Sequence, residues 1–270
     1  MYGDLGGTES AGFVPYRDAK VLRAVSSVKR FAAYSMMAMA ILIGGGALLL
    51  FGVFLVFGPI AVVRFRASEH QALLWDGLLS ILFFIQHSGM VRTSFRTRLT
   101  PIVPLPYHPA TYAIASGIAL TGVVLLWQPS QTIIYQAEGL LRLLAHATSV
   151  LAIAGFAWGA RALRSFDAFA LNPIGAYLRG TQVEAPDFII RGPYLWVRHP
   201  LYFFILVLIW SAPDVSLDRL LFNMLWTLWV VLGAYLEEKD LVTQFGEKYS
   251  RYQEDVPMLF PWRFPRGSKL

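Results

Sequence analysis

The chain lacks cysteine altogether and carries few charges for its size. None of its 270 residues is Cys, and 15% are Asp, Glu, Lys or Arg, whereas soluble domains average about 25% charged residues. The absence of cysteine excludes disulfides, thiolate zinc sites and a cysteine nucleophile. The five histidines show no metal-ligand spacing. We therefore predict no structural or catalytic metal site.

The apolar residues are concentrated in long runs, which is typical of an integral membrane protein. Mean hydropathy is +0.52, and 56% of the residues are hydrophobic. The runs lie at residues 31–63, 71–90, 109–127, 143–162, 200–213 and 219–236. A transmembrane helix needs about 20 apolar residues. We therefore predict an all-α polytopic membrane bundle of about six transmembrane helices, ending in a helical hairpin and a cytoplasmic lid helix.

The basic residues behind the net charge of +6 lie mainly in the loops expected for such a bundle. Lys and Arg cluster before the first run and after the second and fourth runs, whereas the connection at 128–140 contains neither. The positive-inside rule then places both termini in the cytoplasm and makes nucleic acid an unnecessary partner. Only Arg64 and Arg66 fall on the wrong side. The polar start and the long first run also argue against a cleavable signal peptide.

The same pattern divides the chain into three segments. We predict a cytoplasmic tail at 1–30, a four-helix membrane region at 31–162, and a hairpin with its cytoplasmic connection and lid at 163–270. The glycines at 44–46 lie in the middle of the first run with no strand before them. We interpret them as helix-packing glycines and not as a phosphate loop.

The last two runs bring distant polar residues together. A short turn joins them, so the two helices are antiparallel, and Arg198 and His199 should meet Glu237 and Glu238 at the cytoplasmic face. Pro200 suits the first turn of a helix, whose N-terminus carries partial positive charge. Taken one by one, these residues could equally be a snorkelling arginine and glutamates at a membrane boundary.

A lid is predicted from the segment after the hairpin. Leu241, Phe245, Tyr249 and Tyr252 recur at helical spacing on one face. Such a helix could fold back over the mouth of the hairpin.

Two C-terminal motifs carry a family resemblance. GPYLWVRHPLY (192–202) and LEEKDLVTQFGEKYSRYQEDVPMLFP (236–261) together resemble the paired signature of integral membrane methyltransferases. That group includes isoprenylcysteine carboxyl methyltransferase and phospholipid N-methyltransferases. The segments at 73–95, 110–120 and 165–171 are similar to the bacterial methanethiol S-methyltransferase branch, which implies a bacterial inner (plasma) membrane. The resemblance runs from about residue 70 to 262.

The resemblance implies S-adenosylmethionine as cofactor, held by the C-terminal hairpin. Its implied cofactor-binding residues are Phe188, Ile189, Tyr194, His199, Leu201, Tyr202 and Glu237. One departure concerns the acceptor. Gly233 stands where the prenylcysteine enzymes place an arginine for the substrate carboxylate. A small neutral or thiol acceptor is therefore expected, methanethiol by resemblance.

Catalytic candidates come from the second run. Asp76, Ser80, Phe83 and His87 form one helical stripe. A thiol must lose its proton before it attacks, so we hypothesise that His87 is the general base. Asp76 is the second candidate, because an ionisable residue inside the bilayer is a functional hypothesis by default. The alternative is that Asp76 bonds a neighbouring helix or reaches outer water.

Arg198 completes the predicted catalytic set, as a cation for the carboxylate of the cofactor. Three other interpretations stay open at this point. The same fold could methylate a prenylcysteine or a lipid amine, a sterol-reductase-like enzyme could use NADPH, or the protein could be a non-enzymatic membrane subunit. The expected partners are a small-molecule thiol and membrane lipid, and the oligomeric state is open.

Overall fold

The computed structural model describes residues 27–60, 62–163, 167, 169, 171–181, 188 and 190–263. The α-helices among these residues are α1 (Ser27–Met39), α2 (Gly46–Phe57), α3 (Glu69–Val91), α4 (Thr93–Leu99), α5 (His108–Leu126), α6 (Gly139–Ala162), α7 (Leu171–Arg179), α8 (Pro200–Trp210), α9 (Leu217–Phe245) and α10 (Glu247–Asp255). This part of the chain also contains two 3-10 helices, Leu105–Tyr107 and Gly192–Leu195, a π-helical turn, Ala40–Gly45, and two short strands, β1 (Ile133–Gln136) and β2 (Asp214–Ser216).

The predicted all-α membrane bundle is confirmed. Five helical segments are long and apolar enough to cross a membrane, namely Ser27–Phe57, Glu69–Val91, Leu105–Leu126, Gly139–Ala162 and Leu217–Phe245. The fifth run forms the 11-residue helix α8, which is about 16 Å long and covers roughly half of the hydrocarbon core. Leucines on the outside of the bundle, such as Leu140 and Leu143 of α6, are more than half exposed. The chain is therefore a membrane protein whose outer surface suits lipid.

The first crossing contains the glycine run. α1 continues through a π-helical turn, Ala40–Gly45, directly into α2, and the helix ends at Phe57 before Gly58. A Cβ atom on Gly44 would lie 3.2 Å from the backbone oxygen of Ala113, and one on Gly117 would lie 2.9 Å from that of Ile43. Glycines therefore allow α5 to pack backbone to backbone on this helix. The interpretation of this run as helix-packing glycines is confirmed at Gly44.

A small antiparallel sheet, which the sequence did not predict, joins the connection between α5 and α6 to the connection between α8 and α9. β1 pairs with β2, with Tyr135 opposite Val215. Arg142 contacts Asp214 at 2.5 Å beside this sheet. The strand pairing and the contact between Arg142 and Asp214 therefore hold the turn between α8 and α9 in place.

A buried arginine ties three helices together next to that turn. Arg219, 4% exposed, donates to the carbonyls of Phe54, Leu55 and Ile209. These carbonyls lie in the last turns of α2 and α8, where the helix ends carry partial negative charge, and that of Phe54 also accepts from the N–H of Gly58. Arg219 therefore fixes the start of α9 against both helices.

Aromatic and glycine contacts set the positions of α8 and α9. Gly155 and Gly159 of α6 leave room for the side chains of Phe204 and Leu201 of α8. On α9, Trp226 stacks on Phe83 of α3 with ring centroids 5.2 Å apart. The C-terminal half of α3 thereby faces α9.

The predicted lid helix is divided in two, which corrects the sequence expectation. α9 continues to Phe245, and Gly246 then adopts φ +60° before α10 begins. This left-handed conformation favours glycine and breaks the helix. Tyr249 and Tyr252 are nevertheless buried, and they pack with Leu241 and Phe245 in one apolar cluster.

Candidate active site

The polar ends of α8 and α9 meet in a buried ion pair. Arg198 donates from Nε to Glu238 Oε1 at 2.5 Å and from Nη2 to Glu238 Oε2 at 2.8 Å. The two side chains are 9% and 10% exposed. A two-pronged contact between a guanidinium and a carboxylate is the strongest ion-pair geometry that proteins use.

Glu238 is the centre of a larger set of contacts, which we call the Glu238 network: Arg198, His199, Glu238, Tyr249 and Gln253. Besides Arg198, the carboxylate contacts His199 Nε2 at 3.2 Å and accepts from Tyr249 at 3.2 Å and Gln253 at 2.9 Å. Tyr249 and Gln253 belong to α10. The network therefore fastens α10 to the junction of α8 and α9.

Arg198 also contacts the backbone of the lid. Its Nη1 donates to the carbonyl of Gln253 at 3.0 Å and to that of Val256. Most of its N–H groups are thus engaged by protein acceptors. The predicted role of Arg198 toward the carboxylate of a cofactor stays a prediction, and the geometry favours a structural role.

Glu237 differs from its neighbour in exposure and in partners. Its side chain is 46% exposed, and its Oε2 accepts from the Tyr202 hydroxyl at 2.7 Å. His199 Nδ1 lies 3.8 Å from the same oxygen, and the imidazole stacks on the Tyr202 ring at 5.4 Å. Glu237 is therefore a fixed carboxylate with room for a cation.

The segment after α10 forms a wall beside the start of α8. The N–H groups of Arg198 and His199 donate to the carbonyls of Pro257 and Met258, at 2.9 and 3.1 Å. Further along, the Tyr252 hydroxyl donates to the Tyr194 carbonyl at 2.5 Å. Backbone and side-chain hydrogen bonds thus join the lid to residues 194–199, which lead into α8.

Two tyrosines near this wall, Tyr194 and Tyr249, stay neutral at ordinary pH. Burial raises the pKa of Tyr194 above its usual value, and the charge of Glu237 raises it further. Burial likewise raises the pKa of Tyr249, followed by the charge of Glu238. Both hydroxyls can therefore act as hydrogen-bond donors.

Three further predicted cofactor residues have different surroundings. The side chain of Leu201 lies against Gly159 of α6, so only its backbone can face the hairpin mouth. Phe188 packs on the rings of Phe245 and Tyr252, at 5.2 and 5.6 Å. Ile189 lies outside the described residues. Their assignment to cofactor binding stays a prediction.

A cavity of about 350 Å³ lies on the lid side of α9. Its lining residues are Tyr235, Glu238, Lys239, Val242 and Gln253. Glu238 is already engaged by several donors there, and Lys239 Nζ lies 4.5 Å above the Tyr235 ring. A ligand cation has less to gain here than at Glu237.

His87 lies on the C-terminal half of α3 inside a group of aromatic rings. The ring centroids of Phe83, Tyr112 and Trp229 lie 5.1, 5.0 and 5.3 Å from the imidazole. The Tyr112 hydroxyl is 2.6 Å from His87 Nε2. Trp229 belongs to α9, the helix that also carries Glu237, so α9 connects the His87 group to the Glu237 region.

Asp76 lies at the other end of the same helix. It is fully buried, and its Oδ1 accepts from the backbone N–H of Gln128 at 2.9 Å. Eleven residues separate it from His87, or about 16 Å of helix. Its catalytic role stays a prediction, and this contact matches the alternative that it bonds a neighbouring segment.

Sequence reasoning missed Tyr112 and Gln253, placed Tyr249 only on the face of the lid, and separated Glu237 from Glu238 only through the family resemblance. A signal for Tyr112 existed, because it lies near the start of its apolar run, at the depth of His87. Nothing in two consecutive glutamates distinguishes the buried one, because their faces differ only once α8 and α10 are placed.

Comparison with known proteins identifies relatives. Methanethiol S-methyltransferase of Pseudomonas deceptionensis is 39% identical over 201 residues, which cover 72% of this chain and 75% of the relative. Methanethiol S-methyltransferase 1 of Bradyrhizobium diazoefficiens is 33% identical over 199 residues, covering 73% and 69%. Nurim of Rattus norvegicus is 25% identical over 199 residues, covering 68% and 73%.

No family model matches the chain, and no solved structure matches it. The curated relatives are therefore the evidence for its family. Their identity exceeds 30% over more than two thirds of both chains. The bundle and its apolar surface agree with a membrane enzyme. The chain belongs to the methanethiol S-methyltransferase family and is a methyltransferase.

Proposed function

We propose that this enzyme transfers a methyl group from S-adenosylmethionine to a small thiol, converting methanethiol to dimethyl sulfide at the cytoplasmic side of the membrane. The observation that carries the proposal is the pair of unlike glutamates. The carboxylate of Glu238 is already hydrogen-bonded within the Glu238 network. Glu237, in contrast, accepts from Tyr202 and has nearly half of its side chain exposed. One carboxylate is thus left for a cationic ligand beside the start of α8.

The residues around Glu237 fit the chemistry of the cofactor. S-adenosylmethionine carries an ammonium group, a carboxylate and a sulfonium, and when bound it supplies an electrophilic methyl carbon. Glu237 would hold the ammonium group, the N-terminus of α8 would favour the carboxylate, and the rings of Tyr194 and Tyr202 would favour the sulfonium. His199, between the two glutamates, would keep the Tyr202 ring in place.

The acceptor site is proposed between Glu237 and His87. Trp229, which contacts His87, precedes Glu237 on α9 by about 12 Å of helix. His87 would take the thiol proton, so that the sulfur attacks as a thiolate. Since a cation and an anion are neutralised in this reaction, exclusion of water by the surrounding aromatic rings favours the transition state.

Gly233 supports a small acceptor without a carboxylate. It lies one turn before Glu237, and a Cβ atom there would meet no other atom within 4 Å. Packing therefore does not force glycine at this position. Gly233 therefore leaves this position without the arginine that a carboxylate substrate would need.

We also propose the bacterial inner membrane and cytoplasmic termini. The basic residues of α4, Arg96 and Arg98, lie between α3 and α5, on the side of the bundle that holds Glu237. Positive-inside bias then makes this face cytoplasmic. The three-segment division at residues 30 and 162 remains part of the same proposal.

A sealed-vial assay tests the proposal. Purified protein is incubated with methyl-labelled S-adenosylmethionine and methanethiol, and labelled dimethyl sulfide is measured in the headspace. Calorimetry with the cofactor alone measures binding. Glu237→Gln should weaken cofactor binding, and Glu247→Gln, an exposed glutamate of α10 paired with Arg251, is the matched control.

Headspace product together with cofactor binding is the expected result. Labelled lipid with no labelled dimethyl sulfide would overturn the small-thiol acceptor while keeping the cofactor. Absence of both binding and product, in protein that elutes as a folded species, would overturn the whole proposal.

A further inference from the structure

Tyr112 supplies a polar contact to His87 that the proposed mechanism has not used. Its hydroxyl lies 2.6 Å from Nε2 and 3.2 Å from Nδ1, so it is closer to Nε2. The rings of Phe83 and Trp229 border the imidazole elsewhere. These rings do not compete as conventional hydrogen-bond partners, so Tyr112 is well placed to set the protonation pattern of His87.

Ser116 lies one turn beyond Tyr112 on α5, and Gln86 Nε2 donates to Ser116 Oγ at 3.4 Å. A phenol has one proton and can both donate and accept. When that proton points away from the imidazole, the lone pairs of the phenol oxygen are left for His87.

We propose that Tyr112 is a positioning residue for His87: its oxygen accepts the Nε2–H and selects the tautomer whose Nδ1 receives the thiol proton. The inference rests on the proposed function, in which His87 is the base. In that step the S–H bond breaks, its electron pair stays on sulfur, and the proton bonds to Nδ1. The imidazolium then retains Tyr112 as acceptor at Nε2.

A neutral phenol suits this position better than a carboxylate. In serine proteases an aspartate orients the histidine and stabilises its cation. An anion within a membrane helix is costly, whereas the phenol oxygen fixes the tautomer and bears no charge. Removal of the phenol hydroxyl should therefore lower the rate less than removal of His87, the base itself.

Acceptor acidity provides a readout that a structural role would not alter. Methanethiol is largely protonated at neutral pH and needs a base. Hydrogen sulfide is smaller and more acidic, so a large fraction is already the hydrosulfide anion. A defect in proton removal therefore affects methanethiol far more than hydrogen sulfide.

The experiment compares purified wild type, Tyr112→Phe, His87→Gln and the control Tyr107→Phe with both acceptors. Tyr107 packs on Tyr177 outside this group, and its variant should match wild type. Tyr112→Phe should lower kcat for methanethiol about tenfold and for hydrogen sulfide less than about threefold, which is smaller than the 10²–10⁴-fold that general-base catalysis contributes. The cofactor Kd should be unchanged.

Equal loss with the two acceptors, or no loss with either, would overturn the role of Tyr112. Failure of wild type to bind cofactor and to turn over methanethiol would instead overturn the proposed function. If Tyr112→Phe elutes as aggregate, the ¹⁵N NMR signals of the wild-type His87 imidazole take its place. A proton on Nε2 with none on Nδ1 is the expected result, and a proton on Nδ1 with none on Nε2 would overturn the proposal.

Discussion

Replacing each of the two consecutive glutamates by glutamine should separate stability from cofactor binding. In Glu238→Gln, the buried guanidinium of Arg198 keeps its place but loses the compensating charge. The new amide nitrogen also points a donor at the donors of Arg198 or Gln253. Breaking a buried ion pair by removing one partner costs about 3–5 kcal/mol.

This cost can be converted into a melting shift. We take about 3 kcal/mol, because the glutamine still accepts one hydrogen bond. At the 2–4 °C per kcal/mol typical of domains of 150–250 residues, Tm falls by about 6–12 °C. α10 should loosen first, since Tyr249 and Gln253 lose their common acceptor.

Glu237→Gln should show the opposite pattern. The side chain is 46% exposed, and glutamine can still accept from Tyr202. Exposed charges contribute about 0–1 kcal/mol, so Tm should barely move. The cofactor Kd should rise about 10–100-fold, because a hydrogen bond to a charged group contributes about 1.5–3 kcal/mol.

The assay is thermal unfolding in one detergent, followed by calorimetry with S-adenosylmethionine, with Glu247→Gln as the matched control. A Glu238→Gln protein that melts with wild type would refute the assignment of the Glu238 network. The reasoning also fails if the two variants exchange their behaviour, with Glu237→Gln unfolding early and Glu238→Gln losing only the cofactor.

Three further variants test the frame of the bundle. Gly117→Val should destabilise by about 1–3 kcal/mol through overpacking, while Gly122→Ala, whose Cβ atom meets nothing within 4 Å, should have the small effect of an open site; equal melting would contradict the close helix contact. Asp76→Asn should keep activity within about twofold, because the amide oxygen still accepts from the N–H of Gln128, and a large kcat loss at unchanged Tm would restore Asp76 as a catalytic residue. Arg219→Met should lower stability by about 3 kcal/mol or more, since several buried carbonyls lose their donor, and unchanged thermal unfolding would argue against that clamp.

Hydrophobic runs were sufficient to predict the bundle, because a membrane-spanning helix must be long and apolar whatever it packs against. The end of the first helix at Gly58, the packing glycine Gly44 and the antiparallel hairpin also follow from local chemistry. The β1–β2 pair could not be predicted in the same way, since Ile133–Gln136 reads as an ordinary connection. Its partner strand is 80 residues away and pairs only after α8 and α9 are placed.

The sequence by itself determined that this is a helical membrane methyltransferase and which polar residues gather at the hairpin mouth. Only the tertiary structure decided that Glu238 is buried by Arg198 while Glu237 stays accessible, and that Tyr112 contacts His87. The physical reason is that membrane helices are specified by composition over many residues. The partner of one side chain, in contrast, depends on helix rotation, and one residue along a helix turns the side chain by about 100°.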